Sequence, residues 1–255
     1  MILAAGAGTR LGSGHGRLPK PLTPVFGTPL LTRALRSACS AGLEHVVVVV
    51  GYRAHEVGAH AAAAASELDL ELTIAPNPHW TAGNGASLLA AEPFVDDRCV
   101  VLMADHMVPP SFLRLLIDAP EDGAAGQLLV DPDPDNVHDL EEATRVRLRG
   151  DRIAAIGKHL DPFDAVDTGV FRFDRRIFEA LREEIARGHS ELSAAVQRLA
   201  DDGLMHAVPS DGSFWCDVDT PEDLAFVRRR PEGDFLREFS LTRDHPRDLQ
   251  AAAGD

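Results

Sequence analysis

The chain has 255 residues, of which 45% are hydrophobic and 25% are charged, and its formal net charge is -15 at pH 7. This length and composition suit a single α/β domain, and the negative charge argues against nucleic acid or an anionic membrane as a partner, because both require a broad basic face. Three widely spaced cysteines without a CxxC pair, and no apolar run near the ~20 residues of a membrane span, predict reduced thiols and a cytoplasmic protein.

The chain begins with a short apolar strand, predicted over residues 2–4, that runs into a glycine-rich loop. Gly6 and Gly8 in this loop leave room for backbone N–H groups to turn toward one anion, since glycine adopts positive φ angles readily. Arg10 and Lys20 place a cation at each end of the loop. The sequence therefore predicts a polyphosphate site here.

Two better-known phosphate loops do not fit this segment. The P-loop requires a Lys-Ser or Lys-Thr pair after its glycines, and the dinucleotide fingerprint GxGxxG requires a third glycine where Leu11 stands. The pattern that does match is the nucleotidyltransferase signature LxxGxGTRL…PKPLxPVxGxPL, which the sequence meets from Leu3 to Leu30. The alternative is a plain glycine-rich turn between a strand and a helix.

Strands and helices then alternate along the first half of the chain. A helix is predicted with Thr28 as N-cap and Pro29 as its first residue, and five consecutive valines at residues 46–50 predict a parallel strand covered on both faces. Further helices are predicted at 54–68, at 86–91 and from Pro109 or Pro110, with strands at 70–74 and 99–103. This order predicts a doubly wound, mostly parallel, Rossmann-like α/β sheet whose ligands bind beyond the carboxyl ends of the strands.

From about residue 123 the pattern changes to shorter strands. Strands are predicted at 127–130, 143–148, 152–156, 166–173, 205–208 and 213–217, and helices at 175–187, 190–202 and 221–230. We interpret this region as a small antiparallel elaboration within one domain, residues 1–230. Residues 1–122 would be its nucleotide-binding half and 123–230 its acceptor-binding half, and residues 231–255 form a charged C-terminal tail.

Nucleotidyl transfer needs few catalytic parts. An anionic phosphate or phosphonate oxygen attacks the α-phosphorus of a nucleoside triphosphate and pyrophosphate leaves, so catalysis is positioning and charge neutralisation without a general base. We assign Arg10 to the β- and γ-phosphates and Lys20 to the α-phosphate, where charge builds up in the transition state. The alternative for Arg10 is a solvated loop cation.

Three carboxylates are candidate ligands for Mg²⁺, which proteins bind through one or two carboxylates together with substrate phosphates. Asp105 closes a buried strand. Asp217 and Asp219 alternate, so on a strand both side chains face the same way. The alternative for Asp219 is to cap the helix that begins at Pro221, a role that Thr220 can also fill. We favour Asp217 slightly and keep both.

Two further groups of residues are candidates for contacts with the base and the acceptor. The small residues at 83–87 leave room for a flat base, whose edge Asn84 or Ser87 would contact; the alternative is a helix start with Asn84 as the cap. The predicted acceptor contacts are His106, Lys158, Asp167, Thr168 and Gly169. The alternative for Lys158 is an exposed turn cation.

Taken together, seven segments resemble the sugar-nucleotidyltransferase-like superfamily, and in particular the CTP:inositol-1-phosphate cytidylyltransferases. They are LAAGAGTRLG, LPKPLTPV, NPHWTAGNGASLL, LMADHM, EATRVRLRGDRIAAIGKHL, DAVDTGVF and WCDVDTPEDL. The Gly-Asn-Gly run and the Asp-Val-Asp-Thr-Pro-Glu-Asp run are also similar to cytidylyltransferases that act on phosphocholine or on phosphonates. The resemblance implies CTP as the nucleotide, Mg²⁺ as the metal and inositol 1-phosphate or a related cyclitol phosphate as the acceptor; a homodimer is left open. The nucleotide contacts are then Leu3, Ala4, Ala5, Gly6, Gly8, Thr9, Asn84 and Ser87.

One departure and three alternatives remain. The run at residues 12–17 is an addition to the loop pattern. The alternatives are a phosphonate cytidylyltransferase, a hexose-1-phosphate nucleotidylyltransferase and a non-catalytic nucleotide-binding regulator. The joint presence of Arg10, Lys20 and the three carboxylates argues against the regulator, because simple binding needs no metal clamp at the α-phosphate.

Overall fold

A computed structural model of the protein describes residues 1–11 and 18–230. The added run at 12–17 and the predicted tail at 231–255 lie outside the described residues. In chain order the elements are β1 (Ile2–Ala4), β2 (Pro24–Val25), β3 (Thr28–Pro29), α1 (Leu30–Ser40), β4 (His45–Val50), α2 (Ala54–Glu67), β5 (Glu71–Pro76), α3 (Asn84–Ala90), β6 (Arg98–Met103), β7 (His106–Met107), α4 (Pro110–Asp118), β8 (Gly126–Asp131), β9 (Arg145–Arg149), β10 (Arg152–Gly157), β11 (Ala165–Asp174), α5 (Arg176–Ala186), α6 (Leu192–Asp201), β12 (Met205–Pro209), β13 (Cys216–Asp217) and α7 (Pro221–Arg228).

A nine-stranded sheet forms the centre of the fold, in the order β5-β4-β1-β6-β11-β8-β12-β10-β9. The first four strands are parallel, and β12 is parallel to β8. β11 runs against β6 and β8, and β10 runs against β9 and β12. The predicted α/β class is confirmed. The sheet is mixed rather than mostly parallel, because four of its strand pairings are parallel and five are antiparallel.

The valine run in β4 shows why this sheet is buried on both faces. Val46, Val48 and Val50 pack with α1, α2 and α4, whereas Val47 and Val49 pack on the opposite face, where α3, α5 and α6 lie. All five are at most 6% exposed. An unalternating β-branched run is stable in this position because each side chain meets an apolar layer.

The prediction that α1 begins with Thr28 as its N-cap is wrong by one residue. Thr28–Pro29 instead pair with Pro24–Val25 as a short antiparallel ladder, and Pro29 is the N-cap of α1. Phe26 and Gly27 form the turn with φ angles of 45° and 73°. Two successive positive φ angles are typical of the tight turn of a β-hairpin. Thr28 and Pro29 form the second strand of this hairpin, so α1 begins one residue later than predicted.

The predicted strand at 213–217 is also shorter in the structure. Only Cys216–Asp217 form strand β13, which pairs with β7 and not with the main sheet. Asp219 therefore lies beyond the strand, and the expectation that strand geometry sets both carboxylates is wrong. What holds them is the β7–β13 pairing together with the hydrogen bond from Val218 N to Asp105 O (3.0 Å).

The carboxyl ends of the parallel strands converge at one edge of the sheet. Beyond the ends of the strands, Tyr52 N donates to Ala5 O (2.9 Å) and Ala104 N donates to Leu3 O (3.1 Å). These bonds fix three parts of the backbone relative to one another: the start of the glycine loop, the segment that follows β4, and Ala104, which precedes Asp105. Among the described residues, no helix is both long enough and apolar enough to cross a membrane.

Candidate active site

The glycine loop that follows β1 packs directly over Lys20. Gly8 has a φ of +63°, and a Cβ built on it would lie 2.3 Å from the Cβ of Lys20. Leu11 N closes the loop by donating to Gly8 O (3.2 Å). Only glycine meets both requirements, the positive φ and the close approach, so the identity of residue 8 is dictated by the position of Lys20.

Lys20 is a buried cation, 7% exposed, in a short 3₁₀ turn that follows Pro19. Its Nζ donates to the carboxylates of both Asp105 and Asp219. Burial by itself would lower the pKa of Lys20, but these two carboxylates outweigh it and raise the pKa above its ordinary value. The side chain is therefore a fixed positive charge held between two acids.

Asp105 stands at the carboxyl end of β6 and carries two partners. Burial opposes its ionisation, yet Lys20 and His106 bring its pKa far below the ordinary value. His106 Nδ1 lies 2.9 Å from Asp105 Oδ1. Burial would lower the pKa of His106, whereas Asp105, Asp217 and Asp167 raise it to about 9. Asp105 is thus ionised between two cations.

Asp217 and Asp219 are held beside His106 and Lys20 by different contacts. Asp217 pairs in register with His106 across β13 and β7. Asp219 Oδ2 accepts a hydrogen bond from Arg10 Nη2 (2.5 Å), while its other oxygen accepts from Lys20. Asp219 therefore joins the two cations that flank the glycine loop.

The cap of α7 is supplied by other residues. Thr220 and Asp223 form a reciprocal capping box at its first turn, so the predicted N-cap at Thr220 is confirmed. The backbone N–H of Asp219 also donates to Asp223 Oδ2 (2.9 Å). The side chain of Asp219 is not used as the helix cap and is turned toward Arg10 and Lys20.

Two cavities meet at these residues. The loop cavity, about 250 Å³, is lined by Leu3, Ala4, Gly6, Gly8, Thr9, Arg10, Lys20, Pro21, Ala104, Asp105 and Asp219. The acidic cavity, about 260 Å³, is lined by Arg10, Asn84, Met103, Asp105, His106, Val137, Asp139, Glu142, Ala143, Thr144, Lys158, Asp167, Trp215, Asp217 and Asp219. Arg10, Asp105 and Asp219 line both cavities, so a ligand in one would lie next to a ligand in the other.

A bulge in β11 shapes the acidic cavity. The register of β11 against β8 shifts between Asp167 and Phe171, and Gly169 within the shift has a φ of +76°. A Cβ on Gly169 would lie 2.3 Å from Cδ2 of His106. Burial raises the pKa of Asp167 to about 6, and burial also raises that of Asp217. The bulge therefore brings a buried acid to the imidazole of His106.

Three of the predicted contacts are occupied within the protein. Thr168 donates its hydroxyl to Leu129 O (2.8 Å). Ser87 is 5% exposed, and its hydroxyl bonds to Asn77 (3.0 Å). Asn84 lines the acidic cavity, but its Oδ1 accepts from Leu192 N (2.8 Å) at the start of α6. Their contacts with a ligand stay predictions, since each has a structural role of its own.

The flanking glycines of Asn84 also serve packing. A Cβ on Gly83 or on Gly85 would lie 2.8 or 2.6 Å from Ser190 O, and Gly85 N donates to that oxygen (2.9 Å). The Gly-Asn-Gly run therefore docks α3 against the segment that enters α6. The alternative of a helix start capped by Asn84 is correct about the helix and wrong about the cap, because Gly83 is the N-cap of α3 and Asn84 is its first residue.

Lys158 and the residues around it form the outer edge of the acidic cavity. Lys158 Nζ donates to Glu142 Oε2 (3.1 Å), and the same oxygen lies 3.7 Å from Arg10 Nη1. Sequence reasoning did not single out Glu142. Its position depends on the loop before β9, and no local motif indicates that this loop folds toward Arg10.

A second residue missed in the sequence is Asp131, which is 1% exposed at the end of β8. Its carboxylate accepts from Asp133 N (3.0 Å), Asn136 Nδ2 (2.7 Å) and Trp215 Nε1 (2.7 Å). Two walls of the acidic cavity, the loop at 132–144 and the Trp215 segment, are therefore tied to one buried acid.

The donor set at the junction fits the magnesium ion that the family resemblance implies. Asp105 and Asp219 offer hard carboxylate oxygens close enough to share the ammonium of Lys20, and Asp217 is adjacent. In the described part of the chain, no three His, Cys, Asp or Glu side chains are grouped so as to hold a metal ion. Phosphate oxygens or water would therefore complete the coordination of Mg²⁺ at this place.

A nucleotide-binding α/β sheet with a glycine loop, a buried lysine and carboxylates at its carboxyl edge defines the class of nucleotidyltransferases. The chain matches the MobA-like NTP transferase domain over residues 1–197 and belongs to this family. The predicted membership of the sugar-nucleotidyltransferase-like superfamily is thereby confirmed.

Individual proteins that the chain resembles make this assignment more specific. The chain is 43% identical to the bifunctional IPC transferase and DIPP synthase of Rubrobacter xylanophilus over 227 residues, which are 88% of this chain and 49% of the relative. It is 35% identical to the protein of the same name from Archaeoglobus fulgidus, covering 90% of this chain and 43% of that one. The chain thus spans about half the length of these curated relatives. The solved structure of the inositol-1-phosphate CTP transferase from T. maritima is similar with a TM-score of 0.77 and 27% identity, over 89% of this chain and 95% of that one.

Proposed function

We propose that the protein is a magnesium-dependent cytidylyltransferase that joins CTP to inositol 1-phosphate or a related cyclitol phosphate, releasing pyrophosphate. The observation that carries the proposal is the junction of the two cavities, where Lys20 is held by Asp105 and Asp219 and where Arg10 reaches Asp219. The name of the similar T. maritima structure supports the choice of nucleotide and acceptor.

In this proposal the loop cavity receives the triphosphate. The backbone of residues 6–9 surrounds the phosphates, Arg10 binds the β- and γ-phosphates, and Lys20 lies at the α-phosphate. Because Lys20 is fixed by two acids before any ligand arrives, no reorganisation is needed when charge develops on the phosphoryl oxygens. Asp105, with Asp219 or Asp217, would hold the magnesium ion, which supplies further positive charge to the phosphates.

The acidic cavity then receives the acceptor. An acceptor phosphate oxygen, anionic at neutral pH, attacks the α-phosphorus, and pyrophosphate leaves toward Arg10. Lys158 is the proposed partner of the acceptor phosphate. Asp167 and Asp217 are acceptors for hydroxyl groups deeper in the cavity, which places the two substrates on either side of the shared residues.

The lining of the acidic cavity favours a polyol over a cationic head group. Its acids Asp167 and Asp217 already face the imidazole of His106, whose pKa is raised to about 9, so a cation is present there before the acceptor binds. Trp215 is the one aromatic side chain among the described lining residues, and it is 4% exposed. A trimethylammonium group is usually held by several exposed aromatic faces. This argues against phosphocholine.

We also propose that residues 1–230 form one domain that works in a reducing, cytoplasmic compartment, without a nucleic acid or membrane partner. Cys39, Cys99 and Cys216 are free thiols, which supports this location.

One assay separates the candidate functions. Pyrophosphate release is measured with each of four nucleoside triphosphates, paired in turn with inositol 1-phosphate, phosphocholine, 2-aminoethylphosphonate and glucose 1-phosphate. We expect turnover with CTP and inositol 1-phosphate. Turnover confined to UTP and glucose 1-phosphate would overturn the proposal, turnover only with the phosphonate would move the protein to the alternative cytidylyltransferase, and no turnover with any pair would favour a regulator.

A further inference from the structure

Glu142 lies between Arg10 and Lys158, the two cations to which the proposed reaction assigns phosphate groups. Its Oε2 accepts a hydrogen bond from Lys158 Nζ at 3.1 Å and lies 3.7 Å from Arg10 Nη1. Arg10 lies on the nucleotide side of the junction and Lys158 on the acceptor side. One carboxylate oxygen therefore bridges both binding sites.

The position of Glu142 is set by its own loop. Its backbone N–H donates to Asp139 Oδ1 (3.3 Å), and Ala143 N donates to Asp139 O (3.1 Å). The hydrogen bond and charge of Lys158, with a further contribution from Arg10, lower the pKa of Glu142, so the carboxylate is ionised at neutral pH. The side chain is held as an anion facing two cations.

A phosphoryl group would compete with this carboxylate for the same donors. A phosphate carries more negative charge and presents three oxygens, whereas a carboxylate carries one charge and presents two. The contacts of Glu142 are also exposed: its side chain is 61% exposed, and those of Arg10 and Lys158 are 54% and 48% exposed. Exposed ion pairs are weak, so a phosphate can displace Glu142 without a change of fold.

Resting on the function proposed above, we propose that Glu142 is an internal anion that stands in for substrate phosphate and makes the binding of one substrate favour that of the other. While both sites are empty, Glu142 holds Arg10 and Lys158 in place and keeps the two cations from repelling each other. When a triphosphate takes Arg10, Glu142 loses one of its two partners and gains a negative neighbour. The acceptor phosphate then displaces it from Lys158 more easily.

The test compares Glu142→Gln with Glu141→Gln. Both remove one negative charge from adjacent exposed positions, so the net charge of the protein changes equally, but only Glu142 contacts the two cations. Binding of inorganic pyrophosphate, in the presence of magnesium chloride, is measured by calorimetry on the full chain. We expect Glu142→Gln to bind roughly two- to fivefold more tightly than the unaltered protein, the range expected for losing an exposed competing pair. Glu141→Gln should bind as the unaltered protein does.

Steady-state kinetics with CTP and inositol 1-phosphate provide the second measurement. We expect Glu142→Gln to have a lower KM for each substrate, and the KM for inositol 1-phosphate should depend less on the CTP concentration than in the unaltered protein. A role that is only structural would weaken binding, so tighter binding separates the two explanations.

Equal or weaker pyrophosphate binding by Glu142→Gln, compared with Glu141→Gln, would overturn the inference. A higher KM for inositol 1-phosphate would also overturn it, since Glu142 would then be a direct contact of the acceptor. If the unaltered protein turned over no substrate pair, the proposed function would fail, and the calorimetric comparison would still decide whether Glu142 competes with phosphate.

Discussion

The two cavities that meet at Asp105 are built in different ways. The loop cavity is formed largely by one short segment, because Gly6, Gly8, Arg10 and Lys20 all lie within the first 20 residues. The acidic cavity draws its walls from distant parts of the chain, from Arg10 and Asn84 to Asp219. The loop cavity is formed by a local motif at the end of β1, whereas the acidic cavity depends on the complete fold.

This difference has a consequence for substitutions. Changes in the loop cavity should act on the chemical step and on the triphosphate, with effects that follow from one or two contacts. Changes in the walls of the acidic cavity should act on acceptor binding through packing, with smaller effects on the chemistry. The two lysines of the chain, Lys20 and Lys158, stand one on each side of this division.

The largest effect is expected for Lys20→Ala. Removal of a fixed cation from developing charge lowers kcat by at least about tenfold and by as much as ~10³-fold. Lys158→Ala is the matched control on the acceptor side, and it should raise the KM for the acceptor several-fold with little change in the KM for CTP. Initial rates of pyrophosphate release check both. An unchanged kcat for Lys20→Ala would remove Lys20 from the mechanism.

The thermal midpoint of Lys20→Ala provides a check on the same residue. Without Lys20, Asp105 and Asp219 lose the counter-ion that they share, and two carboxylates at close distance repel each other. The midpoint should therefore fall without a divalent cation and recover with magnesium more than that of the unaltered protein does. If the thermal midpoint of Lys20→Ala fell equally with and without magnesium, Lys20 would be needed for folding itself.

The second prediction concerns the loop above Lys20. In Gly8→Ala, the positive φ disfavours alanine by roughly 1–2 kcal/mol, and the new methyl group meets the Cβ of Lys20. We expect a lower thermal midpoint and a fall in kcat/KM of at least about tenfold, since small displacements of catalytic groups reduce rates strongly.

Gly6→Ala is its control for stability. Apart from its two chain neighbours, no atom of the described residues lies within 4 Å of a Cβ at Gly6, so the thermal midpoint should not change, and any effect on CTP arises inside the cavity. Equal loss of stability in Gly8→Ala and Gly6→Ala would show that general loop flexibility, and not the contact with Lys20, explains the glycines.

The same division explains what could be predicted from the sequence. The loop, Lys20 and Asp105 could be placed together because a glycine signature, a lysine between two prolines and an acid at a strand end each have a local signal. The choice between Asp217 and Asp219 could not be made, because it depends on the pairing of β13 with β7 rather than on strand alternation. The ion pairs of Asp219 with Arg10 and Lys20 span 209 and 199 residues.

Residues on the acceptor side gave still weaker signals. Asp131 and Glu142 carry no recognisable motif, and their partners Trp215 and Arg10 are 84 and 132 positions away in the chain. The fold class was accessible because the alternation of buried strands and helices is repeated along the chain. Contacts between distant loops leave no such periodic trace.

A third prediction tests the bulge that forms the acceptor wall. In Gly169→Ala the added Cβ would overlap the imidazole of His106, at a φ of +76°. The ring has to move, so we expect the KM for the acceptor to rise by about tenfold. The KM for CTP should rise less than that for the acceptor, since neither residue lines the loop cavity and His106 reaches it only through its contact with Asp105. In the control Gly157→Ala, no atom in the described part of the chain lies within 4 Å of the new Cβ, chain neighbours aside, and both KM values should remain unchanged.

The smallest effect on activity is expected for Asp131→Asn. An amide cannot accept all three hydrogen bonds that the buried carboxylate accepts, and leaving a buried donor unpaired reduces the free energy of unfolding by about 1–3 kcal/mol. The loop at 132–144 and Trp215 should then hold the acidic cavity less firmly. The KM for the acceptor should rise a few-fold while the KM for CTP does not. Asp135→Asn, an exposed change in the same turn, should alter neither stability nor KM. If the KM values for the acceptor and for CTP rose together in Asp131→Asn, the loop cavity and the acidic cavity would not bind their substrates independently.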